Sequence, residues 1–317
     1  MYTRREFGRV ALAGLAVVRL KPDTTERGAV AAAINSTFGG VHVGAQTYSF
    51  RDLPHAPGGD AIDNVIKALI DSGVGECELF APQVEPQFPS GARGRRGDPP
   101  SPEAVKARED LRRWRIEAPI QHFRDVKKKF DVAGIKVTAF CYNMNNSFSD
   151  AELERGFEIT KAFGTDVMTT STTMDVARRL APMADKHQIR VGLHGHSNVT
   201  DPNEFATPDS FAAAMKMSKH FKINLDIGHF SAANFDAVEY IKSHHADITN
   251  LHLKDRKNNQ GDNVPWGTGD TPIREVLQLL KRERWPIPVD IEYEYRGQGS
   301  SVDEVKKCLE FARQALA

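Results

Sequence analysis

A single eight-fold (β/α) barrel is the fold class that the sequence predicts, and three observations predict it. Beyond Gly40, short β-like runs alternate with longer amphipathic segments, the pattern of βαβ units around a parallel sheet. The runs fall at 41–47, 76–80, 136–142, 166–170, 190–194, 222–227, 248–253 and 289–293, and eight is the number that closes a barrel. Polar residues gather where successive runs end, which is where barrel enzymes build their sites. The chain of 317 residues accommodates one such domain, placed at 40–317.

Helical segments fill the gaps in order. The first, 62–71, follows strand one, and 102–113 and 120–131 lie between strands two and three. The segments 150–163, 175–187, 208–220, 235–242, 273–282 and 302–317 follow strands three to eight in turn. Two connections are too long to be simple turns. One covers 81–118 and is rich in Pro, Gly and Arg around 90–102; the other covers 255–271 and carries Gly261, Gly267 and Gly269. Both follow strands, so both belong at the C-terminal mouth, and the expected role of each is a lid.

Composition excludes several classes of function. Lys and Arg number 42 against 42 Asp and Glu, so the net charge is zero, unlike a chain built around nucleic acid. Hydrophobic residues at 40% and charged residues at 26% describe an ordinary globular protein, with no 18-residue apolar run for a membrane span. Cys77, Cys141 and Cys308 are too far apart for a disulfide framework or a CxxC metal knuckle.

Residues 1–35 are set aside as an address. Arg4 and Arg5 lie between Thr3 and Phe7, a weakly apolar run follows at 10–18, and Ala31 with Ala33 offers a cleavage site. This arrangement resembles a twin-arginine export signal, which implies a periplasmic protein; without export the location is cytoplasmic. That route carries folded proteins and suits an enzyme that takes up its metal before leaving.

Four successive strand ends supply ligand-type residues: His194 on strand five, Asp226 on strand six, His252 on strand seven and Glu292 on strand eight. Each alone has an ordinary reading, such as Asp226 capping the next helix. Together they sit side by side around one barrel mouth and can converge on one ion. Two imidazoles with two carboxylates suit Mn²⁺, Co²⁺, Fe²⁺ or Zn²⁺, with Mn²⁺ preferred, better than Mg²⁺ or Ca²⁺. Residues i and i+2 share a strand face, so His196 follows His194 inward, Lys254 follows His252, and Glu294 follows Glu292 or is a rim charge. His196, Lys254 and Glu292 are therefore the candidates for proton transfer. His229, Glu78, Tyr142 and Asp255 are the candidate substrate contacts. Tyr142 with Asn143, Asn145 and Asn146 reads equally as a turn cluster. Arg112, Arg113, Trp114 and Arg115 read as a sugar clamp or, more plainly, as a charged helix end with one packed Trp.

These motifs also carry a family resemblance. The strand-one end 46–51, Glu78, the D-x-x-H of Asp226 and His229, the H-x-K-D of His252 to Asp255, Gly267-Thr268-Gly269 and the strand-eight Ile-Glu are similar to the xylose isomerase-like barrels. That superfamily includes sugar phosphate isomerases and epimerases, ketose 3-epimerases, dehydratases and endonuclease IV. The resemblance covers roughly 41–317 and implies a divalent ion on strands five to eight, with Asp226, His252 and Glu292 at ligand positions. The chain departs from the pattern at His194, where members usually have Glu, which removes one of the two bases of a ketose 3-epimerase. The pattern of the dehydratase members, with Glu-x-His on strand five, is matched at His196, Asp226, His229, His252, Lys254 and Glu292 and fails again only at His194. The trinuclear nuclease pattern fails, because Phe80, Ala81, Tyr142 and Asn143 stand where its extra His ligands belong and 256–270 holds no D-x-H.

The resulting expectation is a metal-dependent isomerase or epimerase that removes a proton beside a metal-bound carbonyl of a non-phosphorylated sugar. The alternatives are a lyase or dehydratase on the same barrel and a non-catalytic sugar-binding or complex-forming subunit. The expected partner is a small sugar, and the mouth loops leave room for a homo-oligomer.

Overall fold

The computed structural model describes residues 32–56, 58–89 and 99–317. Most of the expected export signal and most of the 90–99 tract lie outside the described residues. Eight parallel strands follow one another around the barrel: β1 (Val41–Gln46), β2 (Glu76–Phe80), β3 (Lys136–Cys141), β4 (Val167–Thr170), β5 (Arg190–His194), β6 (Phe221–Asp226), β7 (Ile248–Leu253) and β8 (Val289–Ile291). Pairing of β8 with β1 closes the ring, with Asp290 beside Gly44. Thr37–Phe38 adds a short antiparallel edge to the start of β1.

Alternation along the strands explains where the core lies. Val191, Leu193, Ile223, Leu225, Leu251, Leu253, Val289 and Ile291 are all fully buried and belong to the apolar layer between barrel and helices. The residues between them, among them His194, Asn224, Asp226, Asn250, His252 and Asp290, are also buried but polar, and they bond to one another across the lumen. The upper lumen is therefore filled with hydrogen-bonding groups where many barrels stack branched apolar side chains. Each such group requires a partner.

The helices form where sequence periodicity places them. Ile62–Ser72 buries Ile62, Val65 and Leu69 and stops at Gly73, whose φ of 76° is the left-handed conformation that glycine adopts without strain. Asp150–Ala162 starts with a reciprocal capping box between Ser149 and Glu152, and Ser301–Ala315 with one between Ser300 and Asp303. The expected helix at 208–220 ends early, at Met215. Ser218 stops it by bonding Asp185 at 2.6 Å and accepting the His220 amide. A short helix at Ile227–Ala232 was not expected; the Asp226 side chain caps it.

Neither long connection behaves as a free lid in its described part. In the first, helix Pro102–Glu117 is fastened to the barrel by Arg115, which bonds Glu85 at 2.7 and 3.1 Å and Glu152 at 3.3 Å. Trp114 packs edge-on against His122 and Phe123, so the 112–115 cluster is a docked helix end rather than a sugar clamp. Arg115, Glu85 and Glu152 are 14%, 8% and 3% exposed, and an unpaired charge left there is expensive. Glu85→Ala is expected to lower the unfolding free energy by about 3 kcal/mol, read from urea denaturation. A loss below about 1 kcal/mol would mean that the cluster is solvated. No helix among the described residues is long and apolar enough to cross a membrane.

Candidate metal centre

Barrel register brings the four expected ligands to one point. His194 ends β5 and Asp226 ends β6, His252 is next to last in β7, and Glu292 follows β8 directly. Asp226 stands opposite His252, and Asp290 of β8 does so on the other side. One donor atom from each of His194, Asp226, His252 and Glu292 lies within 4.8 Å of the others, and all four residues are buried. His194 Nε2 is 3.9 Å from Asp226 Oδ2, and His252 Nδ1 is 3.3 Å from Glu292 Oε2. Asp226 Oδ2 and Glu292 Oε2 pair with Lys254 Nζ at 2.9 and 2.8 Å outside ideal hydrogen-bond geometry, and among the described residues His252 Nδ1 has only its 3.3 Å contact with Glu292. Two carboxylate oxygens and two imidazole nitrogens converging in one buried place form a donor set that fits a divalent ion.

The layer beneath sets each ligand's orientation. Asn224 Oδ1 lies 2.7 Å from His194 Nδ1, which assigns the proton there and leaves Nε2 as the donor atom. Glu78 Oε2 lies 3.0 Å from His252 Nε2, which turns Nδ1 to the centre. Glu78 itself accepts from Gln46, from Thr169 at 2.7 Å, from Asn224 at 3.2 Å and from Asn250. Asn250 also donates to Asp290 at 2.8 Å. Asp226 divides its oxygens: Oδ1 accepts the His229 amide at 2.8 Å and caps the next helix, and Oδ2 is left for the centre.

Electrostatics separate the two imidazoles. Burial disfavours a charged His252, but the carboxylates of Glu78 and Glu292 outweigh it and hold its pKa well above the ordinary histidine value. Burial, with His252 nearby, pushes His194 well below that value and keeps it neutral. Burial raises Asp226 to about 7 despite Lys254, with the Glu292 charge adding to the rise. Glu292 goes the other way, because Lys254 and His252 overcome its burial and hold it ionised.

Lys254 is the internal cation of the site. Its side chain is 3% exposed, and Nζ stands 2.9 Å from Asp226 Oδ2 and 2.8 Å from Glu292 Oε2, approaching both off-axis. It also pairs with Glu294 and lies 3.2 Å from His229 Nε2. Burial alone would discharge it, but the surrounding carboxylates raise its pKa and keep it an ammonium.

With this geometry established, comparison with known proteins identifies the relatives. A profile of the xylose isomerase-like TIM barrel family matches residues 99–315. The chain belongs to this family. No curated protein matches it. Among solved structures it is similar to the IOLI protein with a zinc atom, at TM-score 0.59 and 13% identity over 87% of this chain and 98% of that one. It is also similar to the probable 3-DHS dehydratase AsbF of Bacillus anthracis, at TM-score 0.58 and 14% identity over 85% and 97%. A third is the 3-keto-D-glucoside 4-epimerase YcjR of E. coli, at TM-score 0.58 and 12% identity over 86% and 99%. At these identities the likeness is one of fold.

In this xylose isomerase-like barrel the mouth encloses a cavity of about 240 Å³ lined by His194, His196, His229, His252, Lys254 and Glu292, with Tyr48, Phe80, Cys141, Asn143 and Ser171 among its walls. A larger cavity of about 840 Å³ opens at the opposite end, around Lys136, Thr138 and Arg190, away from the ligand cluster. His196 and His229 stand where they were expected. Two expected substrate contacts, Tyr142 and Asp255, are corrected. Tyr142 is 1% exposed and stacked on Phe140 in the apolar layer, so Asn143 faces the cavity in its place. Asp255 holds the 255–271 loop by accepting from the amides of Gly267 at 2.8 Å, Gly269 at 2.9 Å and Thr271 at 3.2 Å. Gly269 has no room for a side chain there, since a Cβ would lie 1.9 Å from Asp255 Oδ1. Glu78 lines the floor of the cavity, where its fully buried carboxylate is engaged by His252, by the surrounding amides and by the Thr169 hydroxyl. Asn224, Asn250 and Asp290 were missed. Each sits two residues before an expected ligand, so the two-residue strand period carried downward finds them.

Proposed function

We propose that the chain is a metal-dependent sugar isomerase or epimerase that removes a proton beside the carbonyl of a non-phosphorylated keto sugar. The observation that carries this reading is the convergence of four buried ligand atoms, two carboxylate oxygens and two imidazole nitrogens, beside a cavity of about 240 Å³, room for about one sugar ring. A divalent ion held by His194, Asp226, His252 and Glu292, with Mn²⁺ the preferred candidate, supplies a Lewis acid that makes the adjacent C–H acidic near neutral pH. The family and the epimerase of similar fold support the substrate class.

The residues divide the remaining work. His196 faces the cavity, and burial lowers its pKa against the pull of Glu204, so it is neutral and able to accept a proton at Nε2. Glu292, ionised, is the second base. Lys254 holds an ammonium beside the oxygen that gains charge, and His229 sits within reach of the same region. Elimination on the same barrel is the second reading. It is favoured by Lys254, a single buried ammonium able to protonate a departing oxygen. Export through the twin-arginine route belongs to this proposal, because phosphorylated sugars are scarce outside the cytoplasm; the N-terminal sequence of protein recovered from periplasm tests it.

The experiment is the elemental content of the purified chain, followed by incubation with keto sugars in deuterated buffer. About one transition-metal ion per chain with deuterium in an isomeric product supports isomerisation, and loss of a leaving group supports the second reading. No bound metal after incubation with Mn²⁺ overturns both.

One pH dependence follows. His252 is protonated in the metal-free site because its pKa is raised, so an entering ion must expel that proton. Asp226, raised to about 7, adds a second proton below that pH, so apparent metal affinity is expected to rise about tenfold per pH unit above pH 7 and more steeply below it while His252 stays charged. Titration against a chromophoric chelator from pH 6 to 8 measures the slope, and a flat profile contradicts a protonated His252.

A further inference from the structure

Beside the four ligand-type residues, the 201–206 loop assembles a second constellation. Thr173 and Glu204 form an antiparallel bridge, the Met174 amide donates to Asn203 O at 2.8 Å, and the His196 amide donates to Phe205 O at 2.8 Å. These backbone contacts join the ends of β4 and β5 to one loop and line up three side chains. Ser171 Oγ is 2.8 Å from His196 Nε2, and His196 Nδ1 is 4.0 Å from Glu204 Oε2. Ser171 and His196 both line the cavity of about 240 Å³. The Ser171 amide donates to Asn143 Oδ1 at 2.7 Å, which anchors a carboxamide of the cavity wall beside the hydroxyl.

We propose that Ser171 is an activated nucleophile, with His196 as its base and Glu204 orienting the imidazole, and that it takes the acyl group of a small polar ester such as an O-acyl sugar. The hydroxyl is weak by itself and is activated when an imidazole nitrogen stands within hydrogen-bond reach and a third group orients that imidazole. In the first half, Ser171 Oγ bonds to the carbonyl carbon and its proton passes to His196 Nε2. The ester C–O bond then breaks, and His196 returns the proton to the departing alkoxide. In the second half, water attacks the acyl-serine while His196 takes its proton; the acid leaves and the proton restores the Ser171 hydroxyl. Ester and water become acid and alcohol, with no oxidant or reductant. With Nε2 facing Ser171, Nδ1–H points to Glu204. The contact at 4.0 Å is of the loose kind found before substrate arrives, and rotation of the partly exposed carboxylate closes it. Asn143 offers its side-chain NH₂ to the carbonyl oxygen.

This activity shares the cavity and His196 with the proposed isomerisation but uses no metal, so the test is made on the full chain after treatment with a chelator. Diisopropyl fluorophosphate is added, and adducts are followed by intact mass and located by peptide mapping. One adduct per chain on Ser171 is expected, absent from Ser171→Ala and forming at least about tenfold more slowly in His196→Gln. Glu204→Gln, a change in the partly exposed loop, is expected to slow labelling as well and carries the comparison if the thermal midpoint of His196→Gln shows that it does not fold. No adduct, an adduct on another residue, or an unchanged rate in the folded His196 and Glu204 variants overturns the proposal.

Discussion

Lys254→Met is expected to tighten divalent-metal binding by about tenfold or more and to abolish turnover. The ammonium stands 2.9 and 2.8 Å from the two carboxylate oxygens that face the centre. Two unit charges about 4 Å apart repel by about 4 kcal/mol at the effective dielectric of a protein site, and a divalent ion doubles that. Part of the repulsion is relieved when Lys254 swings toward Glu294, its existing partner, so the measured gain is smaller than the full Coulomb value. Methionine keeps the stem and removes the charge. The metal-free variant should be less stable, because Asp226 and Glu292 lose their cation, and metal should restore it by more than it stabilises the parent. Chelator competition and thermal melting with and without Mn²⁺ measure both effects. Unchanged or weaker metal affinity would show that Lys254 supports the ion instead of competing with it.

His252→Ala is expected to lower metal affinity at least about a hundredfold and to remove activity. It deletes one of two nitrogen ligands and also leaves the buried Glu78 carboxylate without the imidazole 3.0 Å away. The second effect destabilises the fold, by about 3 kcal/mol for an uncompensated buried charge. Glu78→Gln separates the two: it keeps the imidazole and only loosens its orientation, for which a loss of about 10- to 100-fold in affinity is expected. Equal losses in both variants would mean that His252 works only through the network around Glu78.

Much of this architecture is legible in the residues alone because the strands repeat a simple contrast. Apolar side chains face the helices and polar ones face the lumen, so β5 to β8 stand out, and His194, Asp226, His252 and Glu292 mark their upper ends. Where the reading slipped, it slipped by one position. Cys141 and Asn143 line the cavity while Tyr142 between them joins the apolar layer. Lys254 faces the cavity while Asp255 turns to its loop amides. A strand that ends between such neighbours does not announce its last paired residue, and parity is lost with it. The proposed Ser171–His196–Glu204 array was less legible still, since it depends on how the 201–206 loop folds back onto the ends of two successive strands.

The divided carboxylate of Asp226 ties the centre of the barrel to its rim. One oxygen faces the ion position, and the other anchors the first turn of helix Ile227–Ala232. That helix meets the 255–271 loop through the Gln260 amide on Ala232 O at 2.8 Å and through Arg256, 2.7 Å from His229 Nδ1. Asp226 and the 255–271 loop are therefore linked by a continuous chain of contacts. Under the proposed function, the side chain that would hold the ion is thus also joined, through one short helix, to the loop that borders the cavity.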